Sequence, residues 1–160
     1  VAHAVMIGIH GNTPSAAHPE AEVIERIRFN NIDILEHDED DPEYEGAIGI
    51  MAGDDNLVRD VVFENIRVDR IEEGKLFNFH IANTAKYNTS PGRGIENVTL
   101  RNVSFSGNGS PSASVVYGYD QARTISNIVF DNVTVGGKRI TKAEPNLLDI
   151  GPHVSGVVFK

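Results

Sequence analysis

Two adjacent carboxylates, Asp54 and Asp55, are the closest approach in this chain to a catalytic acid pair. Hydrolysis of a glycosidic bond needs two carboxyl groups flanking it, one as acid and one as base or nucleophile. The neighbours Gly53 and Asn56 also make the pair an ordinary solvated turn, and both readings stand at this level. A second acidic concentration, residues 37–45, holds His37, Asp38, Glu39, Asp40, Asp41, Glu43 and Glu45. Its oxygens could gather a calcium ion, although the spacing is not that of an EF-hand and such a run also serves as a solvated face. The six histidines show no His-x-x-x-His spacing, so no zinc or other metal site is expected from them, and no organic cofactor is implied. Zero cysteines exclude thiolate chemistry and disulfides. Asn78, His80, Tyr87, Arg93, Tyr117, Tyr119 and Asp120 complete the set of groups able to bond to or stack on a ligand.

These residues are hung on a repeat. The stretch 125–135, ISNIVFDNVTV, recurs as 95–105, 58–68 and 24–34, and a truncated copy, 154–160, follows it. An internal repeat decides the architecture before any other signal does. Within each copy the apolar residues alternate, as in Ile27, Phe29 and then Ile32, Ile34. Period two with β-branched residues is the mark of a strand, and a helical solenoid would show period 3.6. Between the copies lie second strands at 5–9, 47–51, 76–81, 115–119 and 147–150. Loops of unequal length over a fixed cross-section predict an all-β, right-handed, single-stranded parallel β-helix of about five coils. Phe29, Phe63, Leu100, Phe130 and Phe159 should form one buried column.

Asn31, Asn65, Asn102 and Asn132 hold one place in the four complete copies, between two short strands. Asparagine tolerates the left-handed backbone of a sharp bend, and stacked amides can bond to one another as a ladder. Asn88, Asn97, Asn102 and Asn132 also begin glycosylation sequons, but a bend asparagine already has a structural role.

The chain of 160 residues reads as a single domain, 1–160. Its net charge of −9, from 14 Lys plus Arg against 23 Asp plus Glu, argues against nucleic acid and anionic membranes as partners. No apolar run is long enough to span a bilayer, and no signal-peptide pattern is present.

The repeat resembles the right-handed parallel β-helix carbohydrate enzymes of the pectin-lyase-like superfamily, and among them the polygalacturonase-type glycoside hydrolases. The segment Ala2-His3-Ala4 to His10-Gly11 is similar to that family's Gly-His-Gly, alternating strand and glycine. The resemblance implies an active-site role for His3, with His10 and Met51 beside Asn78 and His80 in a sugar-binding groove. Tyr87 and Arg93 in the long loop and Asp120 next to the groove could stack on or bond to a poly- or oligosaccharide partner, and the resemblance implies that the protein is exported to the periplasm or outside the cell. In the strand one coil on, Gly49 and Met51 stand where the family has an Arg and a Lys that grip the substrate carboxylate. The family's aspartates lie upstream of its histidine.

The chain is therefore expected to be the C-terminal portion of a polysaccharide-acting β-helix protein, lacking upstream coils and inactive as a fragment. The alternative is a non-catalytic glycan-binding or structural β-helix that self-associates end to end. Because strand 5–9 carries Val5, Ile7 and Ile9, bare of any cap, a homodimer through the N-terminal end is expected. By alternation, Phe77, Phe79 and Ile81 should point inward, with Leu76, Asn78 and His80 outward beside Met6, Gly49 and Met51. Tyr117 and Tyr119 share a face with Val115, and are groove or core residues by the same argument.

Overall fold

A computed structural model of the chain describes residues 4–17, 19–41 and 44–160. It is a parallel β-solenoid of about four turns, with no helix among the described residues. The strands are β1 (Val5–Gly8), β2 (Val23–Ile34), β3 (His37–Asp38), β4 (Ile48–Ala52), β5 (Leu57–Glu73) and β6 (Phe77–Ile81). They continue with β7 (Gly94–Gly109), β8 (Ser114–Tyr117), β9 (Thr124–Val135), β10 (Lys138–Arg139), β11 (Leu148–Ile150), β12 (Val154–Ser155) and β13 (Val158–Phe159). One sheet stacks β1, β4, β6, β8 and β11, and the other stacks β2, β5, β7 and β9, all in parallel. The fifth coil is partial, because only the short pieces β12 and β13 lie on β9. That is why the turn count falls below the expected five.

The four long strands are bent twice, and the bends account for the repeat. Asn31, Asn65, Asn102 and Asn132 all adopt a left-handed backbone, with φ of 59°, 55°, 52° and 56°. A second left-handed column runs through Arg26, Asp60, Asn97 and Asn127, at φ of 58°, 56°, 55° and 58°, with Gly156 (φ 66°) on the next coil. One left-handed residue between two extended ones turns the chain and resets its parity. Two successive non-core positions therefore separate inward residues at each corner, giving aliphatic-x-x-aliphatic.

The amides of both corners bond coil to coil. Asn132 donates to Asn102 Oδ1 (2.9 Å), and Asn102 donates to Asn65 Oδ1 (3.0 Å). Asn127 donates to Asn97 Oδ1 (3.1 Å), and Asn97 donates to Asp60 Oδ1 (2.9 Å). The first ladder changes partner at its far rung. Asn65 donates to Asn30 (3.0 Å), while Asn31 Oδ1 accepts from Arg67 (3.1 Å).

The core is the inward face of both sheets. Phe29, Phe63, Leu100, Phe130 and Phe159 are in register, and the middle three are wholly buried. Phe29 and Phe63 stack at 5.2 Å and Phe130 and Phe159 at 5.3 Å. Phe77 and Phe79 reach across from the other sheet to Phe130 and Phe63. Burying each such side chain stabilises the fold by roughly 1.5–3 kcal/mol. Val5, Ile7 and Ile9 are buried within this chain, so the apolar end expected on β1 is covered. The half-buried apolar residues packed on the core lie instead at both ends of the stack, with Ile24, Ile27, Phe29 and Ile32 on β2 and Val135, Ile150, Val154, Val157 and Phe159 toward the other end.

Outside, charges alternate along the stack. Glu64 accepts from both Arg28 and Arg101, and Arg101 reaches on to Asp131 (3.0 Å). These two guanidinium groups, Arg28 foremost, hold the Glu64 carboxyl below its ordinary range.

Candidate functional site

The outward face of the five-stranded sheet is where the candidate residues meet. Gly8, Met51, His80 and Tyr117 lie in one column, with Met6, Gly49, Asn78, Val115 and Asp149 in the column beside it. Adjacent strands are about 4.8 Å apart, so side chains in one column touch. Two loops divide this face. Over its first rungs Met51 packs with Ile9 and Ala82, and Met6, Tyr44 and Tyr87 close over them. Met51 is therefore fully buried and not presented to a ligand. Tyr44 and Tyr87 stack at 5.3 Å, His10 meets the Tyr87 ring edge-on at 6.1 Å, and Lys86 lies over that ring at 4.6 Å.

Beyond this cover the face opens into a groove of about 490 Å³, lined by Lys75, Asn78, His80, Asn83, Thr84, Tyr117 and Tyr119. Alternation accounts for its floor. Phe77, Phe79 and Ile81 point into the core, so Asn78 and His80 face out. Leu76 departs from the expected outward face. It precedes β6 at the corner and is buried in the core beside Phe77. Val116 enters the core, which settles Tyr117 and Tyr119 on the groove side.

The groove floor is hydrogen-bonded from below. Asn78, almost wholly buried, donates Nδ2 to the Glu45 carbonyl (2.8 Å) and offers Oδ1 to His80 Nδ1 (2.8 Å). The amide oxygen only accepts, so His80 carries its proton on Nδ1, and Nε2 is left as an acceptor. Burial, with a smaller contribution from the Lys75 charge, pushes the His80 pKa down to about 4. The ring is neutral at pH 7. Lys75 forms an ion pair with Glu45, and both are buried. Burial holds the Lys75 ammonium below its ordinary pKa. The Tyr117 hydroxyl donates to Asp149 Oδ2 (2.5 Å), and this bond, with burial, pushes its pKa up to about 12.

The remaining candidates have structural partners. Asp54 and Asp55 form a left-handed turn, at φ of 48° and 60°. Asp54 Oδ1 accepts from the backbone (2.6 Å) and hydroxyl (3.0 Å) of Thr89, and Oδ2 from the backbone of Gly11 (3.3 Å). Burial raises the Asp54 pKa, but the Thr89 and Gly11 donors outweigh it and hold the carboxyl low. Asp55 accepts from the Ser90 hydroxyl (2.9 Å). The pair thus ties the turn to the loop at residues 82–93. Arg93 gives its guanidinium to the carbonyls of Asp55 (2.7 Å) and Glu22 (2.8 Å). Asp120 accepts from the backbone of Ala122 and Arg123 and pairs with the Arg123 side chain (2.6 Å).

In the acidic stretch 37–45, Glu45 is paired with Lys75, buried His37 accepts from the Gly46 backbone (3.1 Å), and Glu39 accepts from the Asp41 backbone (3.2 Å). No three acidic or histidine side chains converge on a metal-sized point among the described residues. His3 and Glu43 lie outside the described residues.

Sequence reasoning did not single out Lys75, Asn83, Thr84 or Arg123. Their only signal was proximity to strand ends. Compared with family models, curated proteins and solved structures, the chain matches none.

Proposed function

We propose that the chain is a glycan-binding β-solenoid whose groove holds an oligosaccharide, derived from the polysaccharide-acting, pectin-lyase-like type that its repeat resembles. The observation that carries this reading is the groove itself, in which two tyrosine rings, a neutral histidine and side-chain amides line one open face. Sugar rings offer apolar faces to aromatic side chains and a rim of hydroxyls to uncharged donors and acceptors. Among the described residues, no Asp or Glu lines the groove. Binding is therefore better supported than hydrolysis, which needs a facing carboxyl pair.

Titration of the isotope-labelled chain with oligosaccharides, followed by amide NMR, tests the proposal. Shifts should cluster at residues 78–84 and 115–119, and His80→Ala and Tyr119→Ala should each need about tenfold more sugar to produce them. Shifts confined to the outer face of the other sheet, or none with any sugar, would remove it.

A further inference from the structure

We infer, resting on the reading of the groove as a glycan site, that its ligand is an uncharged sugar and that Tyr119 is the platform on which it stacks. The Tyr119 ring is held on three sides. Its hydroxyl accepts from Asn83 Nδ2 (2.9 Å), its backbone N–H donates to the Arg123 carbonyl (3.0 Å), and the Arg123 guanidinium lies 5.9 Å from the ring centroid. Arg123 is itself fixed by Asp120, which makes Asp120 a positioning residue for the ring. Despite this support Tyr119 is 45% exposed, and it is the only exposed Phe or Tyr among the described residues. A rigid aromatic surface open to solvent on the wall of a groove loses little conformational freedom when a sugar covers it.

Lys75 apart, the polar groups that line the groove beside that ring are uncharged, and Arg123, which flanks the ring, has its charge matched by Asp120. His80 presents an acceptor, and Tyr119 retains a hydroxyl proton to donate. Both suit alcohol groups, which donate and accept. Among the described residues lining the groove Lys75 is the only cation, and its charge is matched by Glu45. An anionic sugar would leave its carboxylate without a counter-charge and would approach a chain of net charge −9.

Isothermal titration of the folded chain with cellotetraose, xylotetraose, β-1,4-galactotetraose and tetragalacturonate, at pH 7 and low salt, tests this. At least one neutral tetrasaccharide should bind, with tetragalacturonate about tenfold weaker or worse. Tyr119→Ala should weaken the neutral sugar about tenfold at unchanged thermal stability, the loss expected on removing an aromatic anchor.

Tetragalacturonate binding as tightly as the best neutral sugar, and still weakened by Tyr119→Ala, would sink the charge inference while leaving the groove reading intact. If no tetrasaccharide binds, or if neither Tyr119→Ala nor His80→Ala weakens the binding seen, the groove reading falls and the inference with it.

Discussion

Asn78 Oδ1 lies 2.8 Å from His80 Nδ1, and this one contact sets the tautomer of the histidine in the groove. It also ties the ring to the strand beneath, because Asn78 donates in turn to the Glu45 carbonyl. The pair is a rigid floor and not a mobile acid.

The first prediction is the pH dependence of that floor. The His80 pKa is lowered from 6.5 to about 4 on folding, so the unfolded chain binds the proton more readily. Stability from this group is full above pH 6.5 and declines as pH falls toward 4. The ceiling on that loss is on the order of 3 kcal/mol. Urea midpoints measured between pH 4 and 7.5 for the natural chain and His80→Asn should diverge over this window. Parallel curves would show that His80 titrates normally.

Asn102 sits in the middle of the first ladder, giving one amide bond and taking another, at φ 52°. Asn102→Ala should cost about 2 kcal/mol, from left-handed strain of about 1 kcal/mol and two exposed hydrogen bonds. Asn102→Gly keeps the backbone and loses only the bonds, so it should be milder. Equal losses in urea unfolding would mean that the bend contributes nothing.

That ladder was legible in the sequence because four asparagines repeat at one place; the second was not. Its column is Arg26, Asp60, Asn97, Asn127 and Gly156, chemically mixed, and the polar x-x of the repeat hid the bend. The inward and outward sides of β6 and β8 followed from alternation alone, since period two fixes a side chain's face. Leu76 did not, because a corner suspends that alternation. The cover over Met51 was hidden for a different reason. Tyr44 and Tyr87 come from loops far apart in the chain, with no period to extrapolate. Arg93 was legible as a ligand anchor by type, yet its guanidinium is taken by backbone carbonyls that only the folded loops bring near.

The mixed column gives the third prediction. Arg26 is the one long side chain in it, held at φ 58° where a bulky residue is strained. Arg26→Asn should stabilise the chain by about 0.5–1 kcal/mol, since asparagine visits this region at lower cost. Arg26→Val should do the opposite, its branched Cβ being least compatible with positive φ. Thermal and urea unfolding of the two variants would decide it. An unchanged or lowered midpoint for Arg26→Asn would show that its ion pair with Glu25 outweighs the strain.

The last prediction concerns Lys75 and Glu45, whose ion pair lies beneath the groove with both residues buried. Taking two charges from water is costly, and their attraction offsets that only while both are present. Glu45→Ala should therefore destabilise by about 3–5 kcal/mol, because it strands a buried ammonium. Lys75→Met alone strands the carboxylate and should be comparable. The double variant Lys75→Met with Glu45→Leu replaces the pair by apolar groups, and should be far more stable than the sum of the two losses implies. A double-mutant cycle by urea unfolding measures the difference, which should be at least about 3 kcal/mol if the apolar replacement is close to neutral. Single losses below about 1 kcal/mol that simply add would place the pair in solvent, and would return to Lys75 a charge free to meet an anionic ligand.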